Sequence, residues 1–332
     1  MENYNKILVI QTAFIGDVIL VTSLLETLHN NHPYSTIDIV VRKGNESLFN
    51  KHPFLGQIYV WDKKNNKTKN LFTILKNIRK EGYDLTLGVQ RFFNAGLLTA
   101  FSKGKMTIGF DKNPLSFLFK KKIKHQIGTG LHEIERNFNL ISSFNKKLHK
   151  GLKLYPTDQN LETTSQYKKE KYIVIAPASV WFTKQYPKEK WIEFLNRIEH
   201  IKTFIIGAPS DKALAKEIIE NSSNPNIYNL CGELNLLESA ALMKDAQMCY
   251  VNDSAPQHLA SSVNAPTTTL FCSTVPSFGF GPLSDDSIVI EVEKPLDCKP
   301  CGLHGHKSCP KEHFKCGFDI DTSRLTARIN RP

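Results

Sequence analysis

Four groups of residues carry side chains and spacings that could do chemistry. Asp17 ends the run Gln11-Thr12-Ala13-Phe14-Ile15-Gly16-Asp17, just after a short apolar stretch and at the start of an apolar-faced segment. A carboxylate there is favoured by free amides and the helix dipole, so it either caps a helix or, just past a strand end, serves as a general base. Lys184 follows Val174-Ile175-Ala176-Pro177-Ala178-Ser179 and precedes Pro187. Its ammonium is a compact charge that could meet phosphate oxygens, or a surface cation. In Tyr250-Val251-Asn252-Asp253-Ser254-Ala255-Pro256-Gln257-His258 an apolar run passes directly into a helix. Ser254 is a cap candidate, Pro256 suits the first turn, and the free amides there make an anion site with His258 one turn in. Finally, Cys298, Cys301, Cys309 and Cys316 are spaced so that four thiolates could close a structural zinc site, with His304, His306 and His313 in the same segment. Unligated thiols or disulfides are the alternatives, and an intracellular setting disfavours the latter. Four thiolates leave no open position, so a metal there would be structural.

The elements that must position these groups alternate. Strands are predicted at Lys6–Gln11, Thr36–Val41, Gln57–Trp61 and Asp84–Val89, with helices at Asp17–Asn31 and Asn70–Lys80. A polar stretch over Thr157–Lys171 lacks apolar periodicity and reads as a linker. The alternation then restarts. Strands at Lys171–Ile175, Thr203–Ile206, Met248–Val251 and Thr267–Phe271 are interleaved with helices at Lys188–Ile198, Asp211–Asn221, Leu236–Lys244 and Ala255–Val263. Two such runs imply two parallel-sheet α/β domains, with ligands beyond the carboxyl ends of the strands. Cys231, Cys249 and Cys272 sit singly in apolar runs and read as small buried hydrophobes.

Length and charge agree with two domains. At 332 residues the chain exceeds what one core supports, and 41% hydrophobic with 23% charged residues excludes disorder and a multi-span membrane protein. Apolar stretches fall well short of the ~20 residues that cross a bilayer, and the start of the chain lacks a secretory pattern, so a cytoplasmic protein is expected. The net charge of +11 is unevenly placed: residues 1–166 hold 24 Lys and Arg against 13 Asp and Glu, and residues 167–332 hold 19 against 19. A basic first half suits phosphorylated, acidic-lipid or nucleic-acid partners. A nucleic-acid-binding protein would cluster its cations with the cysteines, but the cysteine-bearing half is neutral. With Gly16 as the single glycine of the first turn, the three-glycine dinucleotide fingerprint is absent.

Three stretches together resemble glycosyltransferase family 9, the bacterial ADP-heptose:lipopolysaccharide heptosyltransferases. They are the opening run with Gly16-Asp17; Ala176-Pro177-Ala178-Ser179 with Lys184, Pro187 and Trp191; and Gly232-Glu233-Leu234-Asn235-Leu236 through Asp253–Ala260 to Ala265-Pro266-Thr267. The resemblance implies a GT-B arrangement of two Rossmann-like domains with an interdomain cleft. Residues 1–160 would bind the acceptor, and residues 161–332, including the Cys-rich segment 298–316, the nucleotide-sugar donor. It implies an inverting reaction with no metal required for catalysis. Asp17 would be the general base and Lys184 the donor-diphosphate contact. Ser179, Asp253, Ser254, Ala255 and His258 would surround the diphosphate or sugar, and Asp211 the nucleoside. The family's usual Asp-Thr-Gly is here Asp253-Ser254-Ala255, which adds a methyl near the phosphates.

The partners so implied are an ADP-sugar and an anionic glycolipid, met peripherally at the inner face of the cytoplasmic membrane, with no nucleic acid. Arg91, Lys120, Lys121, Lys122, His132 and Arg136 are candidates for the acceptor's negative groups, His132 and Arg136 being spaced to share a helical face. A same-fold alternative is a transferase or epimerase that uses another nucleotide sugar.

Overall fold

A computed structural model describes residues 4–145 and 147–329. They divide between Tyr155 and Pro156 into two compact units, each on a six-stranded parallel sheet. The first unit runs β1 (Lys6–Ile10), α1 (Ile15–Leu20), α2 (Thr22–Asn31), β2 (Thr36–Arg42), β3 (Leu55–Trp61), α3 (Lys67–Glu81), β4 (Leu85–Gly88), α4 (Phe93–Phe101), β5 (Met106–Phe110), β6 (Lys121–Ile123) and α5 (Glu133–Phe138). The second runs α6 (Asp158–Ser165), β7 (Tyr172–Ala176), α7 (Lys188–Asn196), β8 (Lys202–Ile205), α8 (Lys212–Glu220), β9 (Ile227–Asn229), α9 (Leu236–Lys244), β10 (Met248–Asn252), α10 (Ala255–Ser262), β11 (Thr267–Leu270), β12 (Ser287–Ile290), α11 (Lys315–Phe318) and α12 (Ser323–Ile329).

Both sheets have the same winding. The orders are β3-β2-β1-β4-β5-β6 and β12-β11-β10-β7-β8-β9, so each unit begins in the middle of its sheet, winds to one edge, then returns and winds to the other. This is the Rossmann order, and its direction reverses between β1 and β4 and again between β7 and β10. The central strands are buried on both faces, which is why KILVI, YIVIA and MCYVN read as continuous apolar runs rather than alternating ones. Leu8, Ile10, Val40, Ile74 and Leu98 centre the first core, and Ile173, Trp191, Phe194 and Tyr250 the second. Cys231, Cys249 and Cys272 are fully buried, as their apolar surroundings predict.

Two sequence expectations change. The stretch at Thr157–Lys171 is not an unstructured linker, because Thr157 and Asn160 form a reciprocal capping box that starts α6. The single helix expected over Asp17–Asn31 divides into α1 and α2 at Val21, where Thr22 Oγ1 bonds back to the Ile19 carbonyl at 2.6 Å. No helix among the described residues is long and apolar enough to cross a membrane.

Candidate functional site

In the second unit the polar groups converge where the winding reverses. β7 ends at Ala176 and β10 at Asn252, and the buried Asn252 side chain ties the two exits together. Its Nδ2 donates to the Pro177 carbonyl at 2.7 Å and its Oδ1 accepts from the Tyr186 amide at 2.9 Å. The loop between Pro177 and Tyr186 therefore has little freedom, and it carries Lys184. The Lys184 ammonium lies 2.6 Å from Asp253 Oδ2, which also accepts the Thr274 hydroxyl at 2.5 Å. Both charged side chains are largely buried, 15% and 7% exposed, so each depends on the other for its counter-charge.

The other candidates of this unit sit around that pair. Ser254 precedes α10 without capping it through its side chain, and Ala255 begins the helix. His258 is buried one turn along. Half-buried Ser179 lends its carbonyl to Gln185 Nε2 at 2.6 Å. Asp211 follows β8, the strand beside β7, where it accepts the Ala208 amide at 2.8 Å and closes the turn leading into α8.

The Cys-rich segment completes this region from its far end in sequence. Thr183 and His306 pair through Thr183 N to the His306 carbonyl (3.1 Å) and His306 N to Thr183 Oγ1 (2.7 Å). The Cys301 amide bonds the Ser273 carbonyl at 2.8 Å, and Ser273 Oγ bonds Thr183 Oγ1 at 3.0 Å. Gly305, with φ +74°, fits where a Cβ would come within 2.8 Å of Thr183 Oγ1 and 3.1 Å of Lys184 Cγ. Residues 301–306 thus form a backbone strap over the Lys184 loop.

The expected zinc ligand set is not assembled. Among the described residues no three His, Cys, Asp or Glu side chains converge as ligands, and Cys298, Cys301, Cys309 and Cys316 are free thiols. Two of the four sulfurs are committed elsewhere. Cys301 Sγ turns to the Cys298 carbonyl at 3.0 Å, and Cys316 is packed in the second core, where burial pushes its thiol up to about 12. Burial pushes the Cys301 thiol up as well.

In the first unit the corresponding point lies beyond β1 and β4. Phe14 precedes α1 in extended conformation, and half-buried Asp17 stands in the first turn of that helix. Thr12 bonds Gln90 Oε1 through both its amide (2.9 Å) and its hydroxyl (2.8 Å), fixing the β1 exit to the β4 exit. Glu133, nearly enclosed, has its carboxyl pushed up, first by burial and also by the Asp17 charge. Arg136, at 2.7 Å, and Arg91 pull it back down. Asp17, Arg91 and Arg136 thus all lie within electrostatic reach of Glu133. Arg136 is 2% exposed and grips Glu133 through two nitrogens, and His132 Nδ1 caps the amide of Ile134 at 3.3 Å.

Lys120, Lys121 and Lys122 lie elsewhere. They lead into and open the edge strand β6, whose amino end pairs Lys121 with Ile108, and Lys120 Nζ reaches the Lys105 carbonyl before β5. Through β5 and β4, however, Lys121 and Lys122 stand level with Val9 and Ile10 at the carboxyl end of β1, and only the Lys120 ammonium reaches toward the amino end. A cavity of about 540 Å³ lined by Lys6, Asp38, Tyr59 and Glu81 also opens at the amino ends of β1–β3. Its buried Asp38 is satisfied by Tyr83 and the Gln57 amide, which marks a structural network rather than a reactive one.

The chain and its fold resemble known proteins. The family model for glycosyltransferase family 9 (heptosyltransferase) matches residues 71–312. The chain belongs to glycosyltransferase family 9. It is therefore a glycosyltransferase, as the three sequence stretches implied. Lipopolysaccharide heptosyltransferase 3 of Escherichia coli K12 is 25% identical over 285 residues, covering 78% of this chain and 80% of that protein. The structure of E. coli ADP-heptose lps heptosyltransferase II superposes with TM-score 0.79 at 19% identity, covering 98% and 97% of the two chains. The E. coli heptosyltransferase WaaC with ADP gives TM-score 0.76 at 19% identity, covering 98% of each. The GT-B fold expectation holds.

Sequence reasoning missed several residues of this family 9 glycosyltransferase: Thr183, Ser273 and Thr274 around Lys184, and Glu133 beside Asp17. Hydroxyl residues are too common to signal a site, but Glu133 and Arg136 stand at ion-pair spacing and could have been read as a pair.

Proposed function

We propose that the protein transfers a heptose, or a closely related sugar, from an ADP-sugar to the core of a lipopolysaccharide acceptor, with inversion and without a catalytic metal. The observation that carries this reading is the Lys184–Asp253 pair beside the start of α10, at the β7–β10 winding reversal. A leaving nucleoside diphosphate needs fixed positive potential, and an ammonium with helix amides supplies it. The ADP held by the WaaC structure, a protein of the same fold, supports the assignment of the anion as a nucleoside diphosphate.

In this reading the residues up to about 160 bind the acceptor and those from 161 the donor. Asp17 removes the proton from the acceptor hydroxyl as that oxygen attacks the anomeric carbon. The new carbon–oxygen bond forms as the bond to the diphosphate breaks, and the electron pair leaves on the phosphate oxygen, where Lys184 balances it. Asp253, Ser254, Ala255, His258 and Ser179 surround the diphosphate and sugar, and Asp211 meets the nucleoside. On the acceptor side, Arg91 is the cation best placed for phosphates or carboxylates, His132, whose Nδ1 accepts the Ile134 amide, is a polar neighbour, and the buried Arg136 holds Glu133 behind them. The acceptor is membrane-borne, so the enzyme works peripherally at the inner face of the cytoplasmic membrane.

The test is turnover of ADP-heptose by the pure protein in EDTA with lipid A-type acceptors, read as ADP release and as anomeric configuration by NMR. Release of ADP with an inverted product is expected. No ADP release with any such acceptor overturns the reading.

A further inference from the structure

The exits of the first unit's strands form one laced surface. Besides the Thr12–Gln90 bonds, Lys63 Nζ donates to the Thr12 carbonyl at 2.6 Å and Asn45 Nδ2 to the Ala13 carbonyl at 3.2 Å. Asn113 Nδ2, beyond β5, donates to the carbonyls of Gln90 (3.0 Å) and Phe92 (2.9 Å). Segments following β1, β2, β3, β4 and β5 are thereby held together.

From this surface large rings point into solvent. Phe14, Phe92, Phe93 and Phe117 are 66%, 61%, 51% and 71% exposed. Two of them carry a guanidinium: Arg42 lies 5.1 Å from the Phe14 ring centre and Arg91 5.8 Å from that of Phe92. Of the acids nearby, Asp62 is paired with Lys43 at 2.9 Å, and Asp111 accepts the His125 amide at 2.9 Å.

We propose that this surface docks the enzyme on an anionic phospholipid bilayer, with Phe14, Phe92, Phe93 and Phe117 entering the interface and Arg42 meeting lipid phosphates. The pattern favours a bilayer over a protein. A protein partner selects a contiguous apolar patch that it can cover. Rings spread over three segments, two with a cation alongside, suit the boundary between headgroups and acyl chains. The surplus positive charge of residues 1–166 has the sign that anionic lipid attracts. The surface also surrounds the end of the sheet that bears Asp17, where a lipid-linked acceptor would present its sugar. In that respect the inference rests on the proposed function.

The experiment is flotation with vesicles of phosphatidylcholine alone or with 30% phosphatidylglycerol, for the wild-type protein and for the triple variant Phe92→Ser, Phe93→Ser, Phe117→Ser. The wild type should float with the anionic vesicles and the triple variant should bind at least tenfold more weakly. Arg42→Glu should weaken binding several-fold by itself. Because the three rings are exposed, the variant should keep the wild-type melting temperature and its rate on a lipid-free acceptor saccharide. Equal flotation of wild type and triple variant, or no flotation of the wild type, overturns the proposal. Failure of ADP-heptose turnover alongside ring-dependent flotation would sink the transferase reading and leave the docking surface standing.

Discussion

The two units share a strand order and put their candidate chemistry at the same topological point, yet they treat those groups in opposite ways. In the second unit Lys184 and Asp253 are buried against each other, backed by Thr274 and closed by the strap at residues 301–306. In the first, Asp17 is half-buried on a short helix and the surrounding segments present aromatic rings to solvent. A compact anion rewards a preorganised, enclosed charge. Under the proposed function the first unit would meet a bulky amphipathic acceptor, which needs an open approach, so rigidity would be concentrated where the ligand is small and exposure where it is large.

The largest effect expected from breaking this contrast is at Asp17. Asp17→Asn should lower kcat by about 10²–10⁴ while ADP affinity, measured by calorimetry, stays unchanged. An equal loss in ADP affinity would show that the two units do not divide the work in this way. Next, Lys184→Met should lower kcat/KM by about 10²–10³ and weaken ADP binding. It also strands Asp253, so stability should fall by about 3–5 kcal/mol. Adding Asp253→Asn should recover much of that stability without recovering activity. If activity returned as well, the lysine would be a structural partner only.

A smaller effect concerns acid. His52 has both ring nitrogens buried without a hydrogen-bond partner, and it packs on Phe54 at 4.5 Å and Tyr155 at 4.8 Å between ring centres. Burial, and then the neighbouring His29, push it down to about 4. The folded state keeps His52 neutral while the unfolded chain takes up a proton near 6.5, so this contribution is complete above 6.5 and is lost as pH falls toward 4. The loss approaches about 3 kcal/mol. Melting followed from pH 7 to pH 4.5 should show the first unit weakening, and His52→Leu should flatten much of that dependence. An unchanged pH profile in His52→Leu would assign the acid sensitivity to other groups, such as His32 and His125, which burial also pushes down.

The sequence was most legible where strands are doubly buried. KILVI, YIVIA and MCYVN read as interior strands, and they place Asp17, Lys184 and Asp253 after strand exits. The short edge strands β6, β9 and β12, of three or four residues, were invisible because lysine, asparagine and serine occupy half-exposed positions there. The cysteines misled for a different reason. Spacing constrains how far apart thiols can be, but not which way each one points, and backbone bonds to Ser273 and Thr183 decide the path of that segment. Lys120–Lys122 stand out by charge density, which by itself does not place them on the edge strand β6.

The strap at residues 301–306 has a thermodynamic corollary. Its backbone bonds and the Lys184 position form one unit, so any free energy spent ordering the strap is repaid when an anion selects that position. Linkage then runs both ways. A ligand at Lys184 should slow amide exchange at Cys301 and His306, well over a hundred residues away along the chain. Disturbance of the strap should in turn register as weaker ligand binding.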